Sequence, residues 1–170
     1  MKIVSIFAEN IYAFHYNAEV DNEFDKALDL WTDVAYLQAF AKLNNVSNVY
    51  GFIETILKNA EDIQDLLDSC DQNEIPFGIY FEALQESERK KEVLSLQKGK
   101  IRKNQLRFYA IKIDGNCFVI TGGAIKMSQK MDDHPDTKKE LEKLKIARIY
   151  FTQNGVTDED SFFELLIENI

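Results

Sequence analysis

The chain has 170 residues, the length of a single ordinary domain. Its composition, with 45% hydrophobic and 29% charged residues but only 7 Gly and 2 Pro, excludes a disordered or collagen-like protein. The formal net charge of −9, taken alone, argues against a nucleic-acid partner.

The charge is distributed unevenly along the chain. Residues 1–88 carry 4 basic and 17 acidic side chains, a net charge of −13, and residues 149–170 carry 5 acidic and no basic ones, a net charge of −5. Residues 89–148 carry 16 basic and 7 acidic side chains, a net charge of +9. Because local patches set the field outside a protein, this segregation predicts an interaction surface; the alternative is a solvated charged face.

The N-terminal part of the sequence predicts strands followed by two helices. Aromatic and apolar residues dominate residues 2–20, which predicts one or two strands. Apolar residues at helical spacing predict a helix over 21–43, capped by Asp21 or Asn22. A second apolar stripe predicts a helix over 48–70, and the short turn between the two favours an antiparallel helix hairpin.

From residue 77 the pattern changes to that of an antiparallel sheet. The strongest local signal is Asp114-Gly115, which predicts a tight turn between two paired strands. The polar and basic stretch before that pair is expected to form a long hairpin around a short strand. The predicted strands are residues 77–81, 93–96, 106–113 and 116–121.

Two C-terminal helices complete the prediction. Thr137 and Glu140 have the spacing of a capping box, so a helix is expected from Thr137 to about Phe151. Residues 157–160 then predict the cap of a last short helix, whose apolar side chains must pack on the rest of the protein.

Together these elements predict an α+β fold with N-terminal strands, a two-helix antiparallel hairpin, an antiparallel sheet of about three to five strands and C-terminal helices. Residues 1–150 are expected to form one domain, and residues 151–170 an acidic helical extension packed on it. No stretch reaches the roughly 18 apolar residues of a membrane span, and the apolar run 3–8 is too short for a signal peptide. A cytoplasmic protein without a membrane partner is therefore expected.

Few residues offer nucleophilic or metal-binding chemistry. Cys70 and Cys117 lack the spacing of a metal site or a disulfide framework. One interpretation of the polar loop around His134 is a metal site, and the other is a solvated turn with a helix cap. No metal and no cofactor is expected. The loop contains three aspartates, Asp132, Asp133 and Asp136.

A set of cationic and aromatic side chains remains on the predicted hairpin and just after it. Arginine and lysine anchor phosphates, and tyrosine can stack on an unpaired base. The same groups support metal-free cleavage of a phosphodiester, in which lysine or histidine moves the 2′-hydroxyl proton and arginine stabilises charge on the phosphorane. The set comprises Lys98, Lys100, Arg102, Arg107, Tyr109, Lys126 and Lys130.

The order of the elements and the residues of 106–145 resemble the RelE/HigB superfamily of toxin–antitoxin proteins. Three segments are similar to the phage-derived HigB-type pattern: Leu106-Arg-Phe-Tyr-Ala-Ile, the apolar strand Cys117-Phe-Val-Ile-Thr-Gly-Gly-Ala-Ile followed by lysine, and the helix-opening Thr137-Lys-Lys-Glu. The resemblance covers about 40 residues well, and its element order implies a RelE-like α+β fold.

In this pattern Arg107 matches the strand arginine, Lys126 matches one of the lysines, and Lys130 matches more loosely. The resemblance implies a toxin-like RNA-binding protein that cleaves mRNA, usually on the ribosome, as an endoribonuclease, and whose cognate partner is an antitoxin protein. Arg107 and Lys126 would then bind the phosphate and its transition state, Tyr109 would stack or orient, and Lys130 or His134 would transfer the proton. The residues expected to bind the RNA are Lys98, Lys100, Arg102 and Lys103.

Two alternatives remain open. The first is a catalytically silent interaction protein on the same scaffold, which binds a protein partner through its charge-segregated surface. The second is a structural role, in which residues 89–112 form a solvated basic hairpin that neutralises the acidic helices 21–43 and 54–74. The oligomeric state is open as well, and a homodimer is one option.

The position of Arg107 distinguishes these interpretations. If Arg107 shares a concave face with Lys126 and Lys130, the interpretation as an RNA-cleaving enzyme gains support. If Arg107 points into the core and pairs with a helix carboxylate such as Asp29 or Asp33, the basic cluster is structural.

Overall fold

A computed structural model describes residues 1–6, 9–128 and 130–169. In these residues one β-sheet lies between two layers of α-helices, so the α+β class is confirmed. The strands are β1 (Lys2–Ser5), β2 (Ile11–His15), β3 (Phe81–Ala83), β4 (Ser95–Gly99), β5 (Leu106–Asp114) and β6 (Cys117–Ile125). The helices are α1 (Glu23–Trp31), α2 (Val34–Leu43), α3 (Val49–Gln72), α4 (Pro135–Gln153) and α5 (Glu159–Glu168).

The sheet has the strand order β1-β2-β6-β5-β4-β3 within the described part of the chain. Neighbouring strands are antiparallel except β2 and β6, which are parallel. The sheet is therefore larger than the expected three to five strands, and it is mixed instead of wholly antiparallel. Local hydrophobic patterns do not reveal this, because about 100 residues separate β2 from β6 along the chain.

The hairpin predicted around Asp114-Gly115 is confirmed. Asp114 lies opposite Cys117, and Gly115 has a φ of +52°, in the left-handed region that glycine adopts without strain. Side chains of β5 alternate between the two faces of the sheet, so Phe108 packs in one core and Tyr109 in the other.

The first helical layer consists of α1, α2 and α3, and its core contains Trp31, Ile56 and Phe108. Asn22 caps α1, as predicted, by accepting hydrogen bonds from the N–H groups of residues 24 and 25 at 3.0 Å. The single helix predicted over 21–43 is wrong, because Asp33 accepts from the Tyr36 N–H at 3.2 Å and starts α2 as a separate helix.

The second layer consists of α4 and α5. The helix expected to start at Thr137 starts at Pro135 instead, with His134 as its cap, because proline fits the first position of a helix. The hydroxyl of Thr137 donates to the Met131 carbonyl at 2.7 Å, so the predicted capping box does not form. A capping box forms at α5 instead, between Asp158 and Ser161.

The C-terminal residues are part of the second core. Helix α4 continues to Gln153, past the boundary expected at residue 150, and Phe151 and Phe162 are fully buried with Phe14 and Leu144. The segment predicted as a strand at 77–81 is mainly a 3₁₀ turn, followed by the short β3. In the described ranges, no helix combines the length and the apolar character that crossing a bilayer requires.

Candidate nucleic-acid interface

Four predicted cations meet on the sheet face that carries α4. Lys98 lies opposite Tyr109 in the β4–β5 register, and Arg107 is two residues before Tyr109, so strand alternation puts all three side chains on this face. Lys126 follows β6. Burial lowers the pKa of Lys126, and the positive charges of Lys98, Arg107 and Lys100 lower it further. We call Lys98, Lys100, Arg107 and Lys126 the basic surface.

Glu82 on β3 is the carboxylate that faces this basic surface. Its Oε1 lies 3.1 Å from Nζ of Lys100 and 3.7 Å from Nζ of Lys98. Burial alone would raise the pKa of Glu82, but the hydrogen bond and charge of Lys100, with those of Lys98, lower it. Half of the Glu82 side chain is exposed, so this ion pairing is weak and a stronger anion can compete with it.

The guanidinium of Arg107 is held by its own loop. Nη1 donates to the carbonyl oxygens of Asn104 and Leu106, the latter at 2.9 Å, and burial lowers the pKa of the half-buried group. These bonds do not involve Asp29 or Asp33, and Asp33 caps α2 in the other layer. The structural role expected from pairing with those carboxylates is therefore wrong for Arg107.

An asparagine that the sequence did not single out fixes this loop. Oδ1 of Asn59 on α3 accepts from the Gln105 N–H at 2.8 Å, and its backbone carbonyl accepts from the Asn104 side chain at 2.9 Å. The Gln105 carbonyl in turn accepts from the Lys126 N–H at 2.8 Å. Asn59 is 6% exposed. Its buried hydrogen bonds fix Asn104 and Gln105, whose carbonyl oxygens in turn accept from Arg107 and from the Lys126 N–H.

Two further predicted RNA-binding residues lie on the same loop. Arg102 and Lys103 are exposed in the turn between β4 and β5, and Lys103 has a φ of +59°. The turn connects the strand ends that carry Lys100 and Arg107. Arg102 and Lys103 therefore extend the basic surface along the loop.

Tyr109 does not belong to the accessible surface. It is 1% exposed and packs in the second core, and burial raises its pKa to about 12 although the charge of Arg107 acts in the opposite direction. A ring that is covered on both faces cannot stack on a base, so the predicted stacking role of Tyr109 is wrong.

His134 is a helix cap. Its Nδ1 accepts from the Asp136 N–H at 3.2 Å, so its Nε2 carries the proton and donates to Oδ1 of Asn44 at 2.6 Å. Both ring nitrogens are engaged, and the predicted proton-transfer role of His134 does not fit this arrangement. Lys130 is exposed on the loop that leads from Lys126 to α4.

Two clefts lie at opposite ends of β6. The larger, about 520 Å³, is lined by Glu9, Asp71 and Glu74, and none of the predicted site residues borders it. The smaller, about 140 Å³, lies between α1, α4 and the last residues of β6, directly before Lys126. In the described part of the chain, no group of three or more His, Cys, Asp and Glu side chains is arranged to hold a metal ion.

The smaller cleft contains a buried ion triad that sequence reasoning missed. Nζ of Lys143 lies 3.0 Å from Glu23 Oε2, 3.0 Å from Glu140 Oε2 and 5.6 Å from the centre of the Tyr16 ring. Burial raises the pKa of Glu140, with Lys143 opposing and Glu23 reinforcing the shift. No sequence signal marks these residues, because charged residues on a helix are usually solvated.

Comparisons with known proteins found no relative of this chain. The chain matches no protein-family model, no curated protein and no solved structure. The functional interpretation therefore depends on the geometry of the basic surface and on the resemblance of its residues to the toxin pattern.

Proposed function

We propose that this protein binds RNA through the basic surface, as a toxin-like member of a toxin–antitoxin module. The observation that supports the proposal is the convergence of Lys98, Lys100, Arg107 and Lys126: burial lowers the pKa of Lys126, and the positive charges of the other three lower it further. Such a cluster is destabilised by its own repulsion, and a bound phosphate relieves that repulsion.

The shape of the surface favours a nucleic-acid chain over a single small anion. The cations are spread over β4, β5 and the end of β6, and neighbouring strands are about 4.8 Å apart, so the row spans roughly 10 Å. Arg102 and Lys103 lengthen it along the exposed loop. Several phosphates of one RNA strand can therefore be contacted together.

The proposed reaction is metal-free cleavage of mRNA, as the resemblance implies. Lys126, whose pKa is lowered, is the side chain best suited to move the 2′-hydroxyl proton, and Arg107 stays charged and can stabilise the phosphorane. Lys130 can supply a further positive charge from the adjacent loop. An antitoxin protein would be the partner that covers this surface.

A silent RNA-binding or protein-binding relative is the second candidate. It is favoured by one observation: two of the five residues expected to act in catalysis, Tyr109 and His134, are used for core packing and helix capping. The same basic surface would then bind a partner without cleaving it.

The first experiment compares RNA binding by two double variants of equal net charge. Lys100→Ala/Lys126→Ala removes two cations of the basic surface, whereas Lys58→Ala/Lys145→Ala removes two exposed lysines that pair with carboxylates on α3 and α4. In fluorescence anisotropy with short single-stranded RNA, the first variant should bind about tenfold more weakly, and its slope of log affinity against log salt should fall by roughly 1.4. Equal losses of RNA affinity in the two variants would refute a binding site localised on the basic surface.

The toxin activity is tested separately by induced expression in a bacterial host. Growth arrest by the wild type that Arg107→Ala/Lys126→Ala relieves, with cleaved transcripts, supports the nuclease. Normal growth with abundant folded wild type that still binds RNA in vitro supports the silent relative.

A further inference from the structure

The carboxylate of Glu82 occupies the space between two cations of the basic surface. Glu82 lies directly opposite Lys98 in the β3–β4 register, so both side chains are on the sheet face that carries this surface. Its Oε1 is 3.1 Å from Nζ of Lys100 and 3.7 Å from Nζ of Lys98. Carboxylate and phosphate oxygens both accept charge-assisted hydrogen bonds from lysine, so this oxygen takes the place that a phosphate oxygen would occupy.

The backbone on both sides of Glu82 is fixed to strand β4. The Lys100 N–H donates to the Tyr80 carbonyl at 3.2 Å, and the Leu84 N–H donates to the Leu96 carbonyl at 2.9 Å. Strand β3 is therefore expected to keep its position when a ligand arrives. A carboxylate that is tethered beside its lysines in this way has a high effective concentration, so it competes with any anion from solution.

The Glu82 side chain, in contrast, can rotate away from the lysines. It is 50% exposed, and the side chains of Lys98 and Lys100 are 24% and 44% exposed. Exposed ion pairs of this kind are weak, because water solvates both charges when they separate. Rotation of one side chain is thus enough to release both lysines.

This arrangement favours a chain of phosphates over a single anion. A single anion at Lys98 and Lys100 gains only the two contacts that it takes from Glu82. An RNA strand also contacts Arg107 and Lys126, and these further contacts offset the displacement of the carboxylate because they are made by the same molecule.

We propose that Glu82 is an internal competitor of the RNA, whose carboxylate occupies the phosphate position between Lys98 and Lys100 and is displaced when a strand binds. This inference rests on the proposed RNA-binding function and adds a regulation of the same site. Removal of the Glu82 charge therefore tightens RNA binding, and it does so through these two lysines.

The first test measures the affinity for a short labelled oligouridylate by fluorescence anisotropy at low salt. Glu82→Gln keeps the size of the side chain and removes its charge, and it should bind about threefold more tightly than wild type, the gain expected when an exposed ion pair no longer has to be broken. Glu86→Gln is the matched control, because it removes the same charge from a side chain that is 80% exposed and pairs with Arg89. Its affinity should change by less than about 1.5-fold.

A double-mutant cycle separates local competition from the effect of net charge. In the Lys98→Ala/Lys100→Ala background the carboxylate has no lysine to occupy, so the addition of Glu82→Gln should change the RNA affinity by less than about 1.5-fold. An equal gain in the wild-type and the lysine-free backgrounds would show that Glu82 acts by long-range repulsion, which overturns the competitor.

Two further outcomes separate this inference from the proposed function. If wild type and Glu82→Gln bind RNA with equal affinity, Glu82 is only a cross-strand partner of Lys98, and the proposed function still stands. If neither protein binds RNA, the proposed function fails, and isothermal titration with inorganic tripolyphosphate decides the role of Glu82. Tighter binding by Glu82→Gln then supports the competitor, whereas equal affinities or no binding by either protein overturn it.

Discussion

Glu88 is a buried carboxylate, 1% exposed, that connects three elements. Its oxygens accept from Nη1 of Arg148 on α4 at 2.6 and 3.0 Å, from Nζ of Lys91 at 3.2 Å and from the Leu96 N–H on β4 at 3.3 Å. Burial alone would raise the pKa of Glu88, but these bonds lower it. The network holds the turn at residues 86–88 against the sheet and the second helical layer.

Glu88→Gln is expected to destabilise the protein by about 2 to 3 kcal/mol at neutral pH, because it leaves Arg148 without its charged partner. Since folding lowers the pKa of Glu88, the stabilisation is complete above the pKa of an unfolded glutamate and is lost as the pH falls through the folded value. The free energies of unfolding of wild type and variant, measured with urea, should therefore converge at acid pH. Glu86→Gln, whose side chain is 80% exposed, should stay within about 0.5 kcal/mol of wild type at both pH values. If Glu88→Gln stayed less stable than wild type at acid pH, the stabilisation would not come from the ionised Glu88 carboxylate.

At the level of single residues, sequence reasoning selected the cations by their chemistry, and their role in binding RNA stays a prediction. Lys98, Arg107 and Lys126 were identifiable because phosphate chemistry calls for their residue types, and strand alternation then places the first two on one face. The stacking role of Tyr109 failed because its ring packs in the second core, and the proton-transfer role of His134 does not fit because Asn44 and the Asp136 N–H engage its ring nitrogens; both depend on contacts that no local pattern encodes. Glu140 was singled out only as the capping-box partner of Thr137, and no local pattern indicated its burial against Gly122.

The loop between β4 and β5 depends on a contact from helix α3. Asn59→Ala removes the acceptor of the Gln105 N–H, which should destabilise the protein by roughly 1 to 3 kcal/mol and loosen the loop that orients Arg107. RNA affinity should then fall several-fold. Asn73→Ala, which removes a side-chain bond to the Ser69 carbonyl at the C-terminal end of the same helix, should lower stability without changing RNA affinity. The RNA affinities of the two variants are compared by fluorescence anisotropy at a temperature where both are fully folded. Equal affinities would show that Asn59 does not position the RNA-binding residues.

Elements defined by short-range signals were predictable, and elements defined by distant contacts were not. The β5–β6 hairpin follows from Asp114-Gly115, and the cap of α1 follows from Asn22. The break between α1 and α2 was missed because the apolar stripe continues through it, although Asp33 is a good cap residue. The parallel pairing of β2 with β6 depends on how both helical layers pack, so no short segment could show it.

At the scale of the whole molecule, part of the charge segregation is neutralised internally. Glu23, Glu82 and Glu88, all from the acidic segment 1–88, pair with basic side chains of residues 89–148. The expected neutralisation of the acidic helices by residues 89–112 does not match the ion pairs of the described residues, because Glu23 on α1 pairs with Lys143 on α4 and Asp62 on α3 pairs with Lys58 of the same helix. Within the basic surface, Lys98 and Lys100 pair with the half-exposed Glu82, and such exposed pairing leaves a field that can attract phosphate.

The two cores share one sheet, so they should unfold together. Phe162 on α5 is fully buried in the second core, whereas Trp31, the single tryptophan, lies in the first core on the opposite face. Phe162→Ala should destabilise the protein by about 3 kcal/mol through the cavity that it leaves. Because the sheet transmits this loss, the urea midpoint from Trp31 fluorescence should fall as far as the midpoint from far-UV circular dichroism.

Ile167→Ala on the same helix is the matched control, because Ile167 is 68% exposed and its truncation should change stability by at most about 0.5 kcal/mol. A Phe162→Ala protein whose Trp31 midpoint stays at the wild-type value would show that the two faces unfold independently. The C-terminal helix would then be a separable extension. Coincident shifts would make α5 an integral part of the fold that holds α4, and with it Glu140 and Lys143, against the sheet.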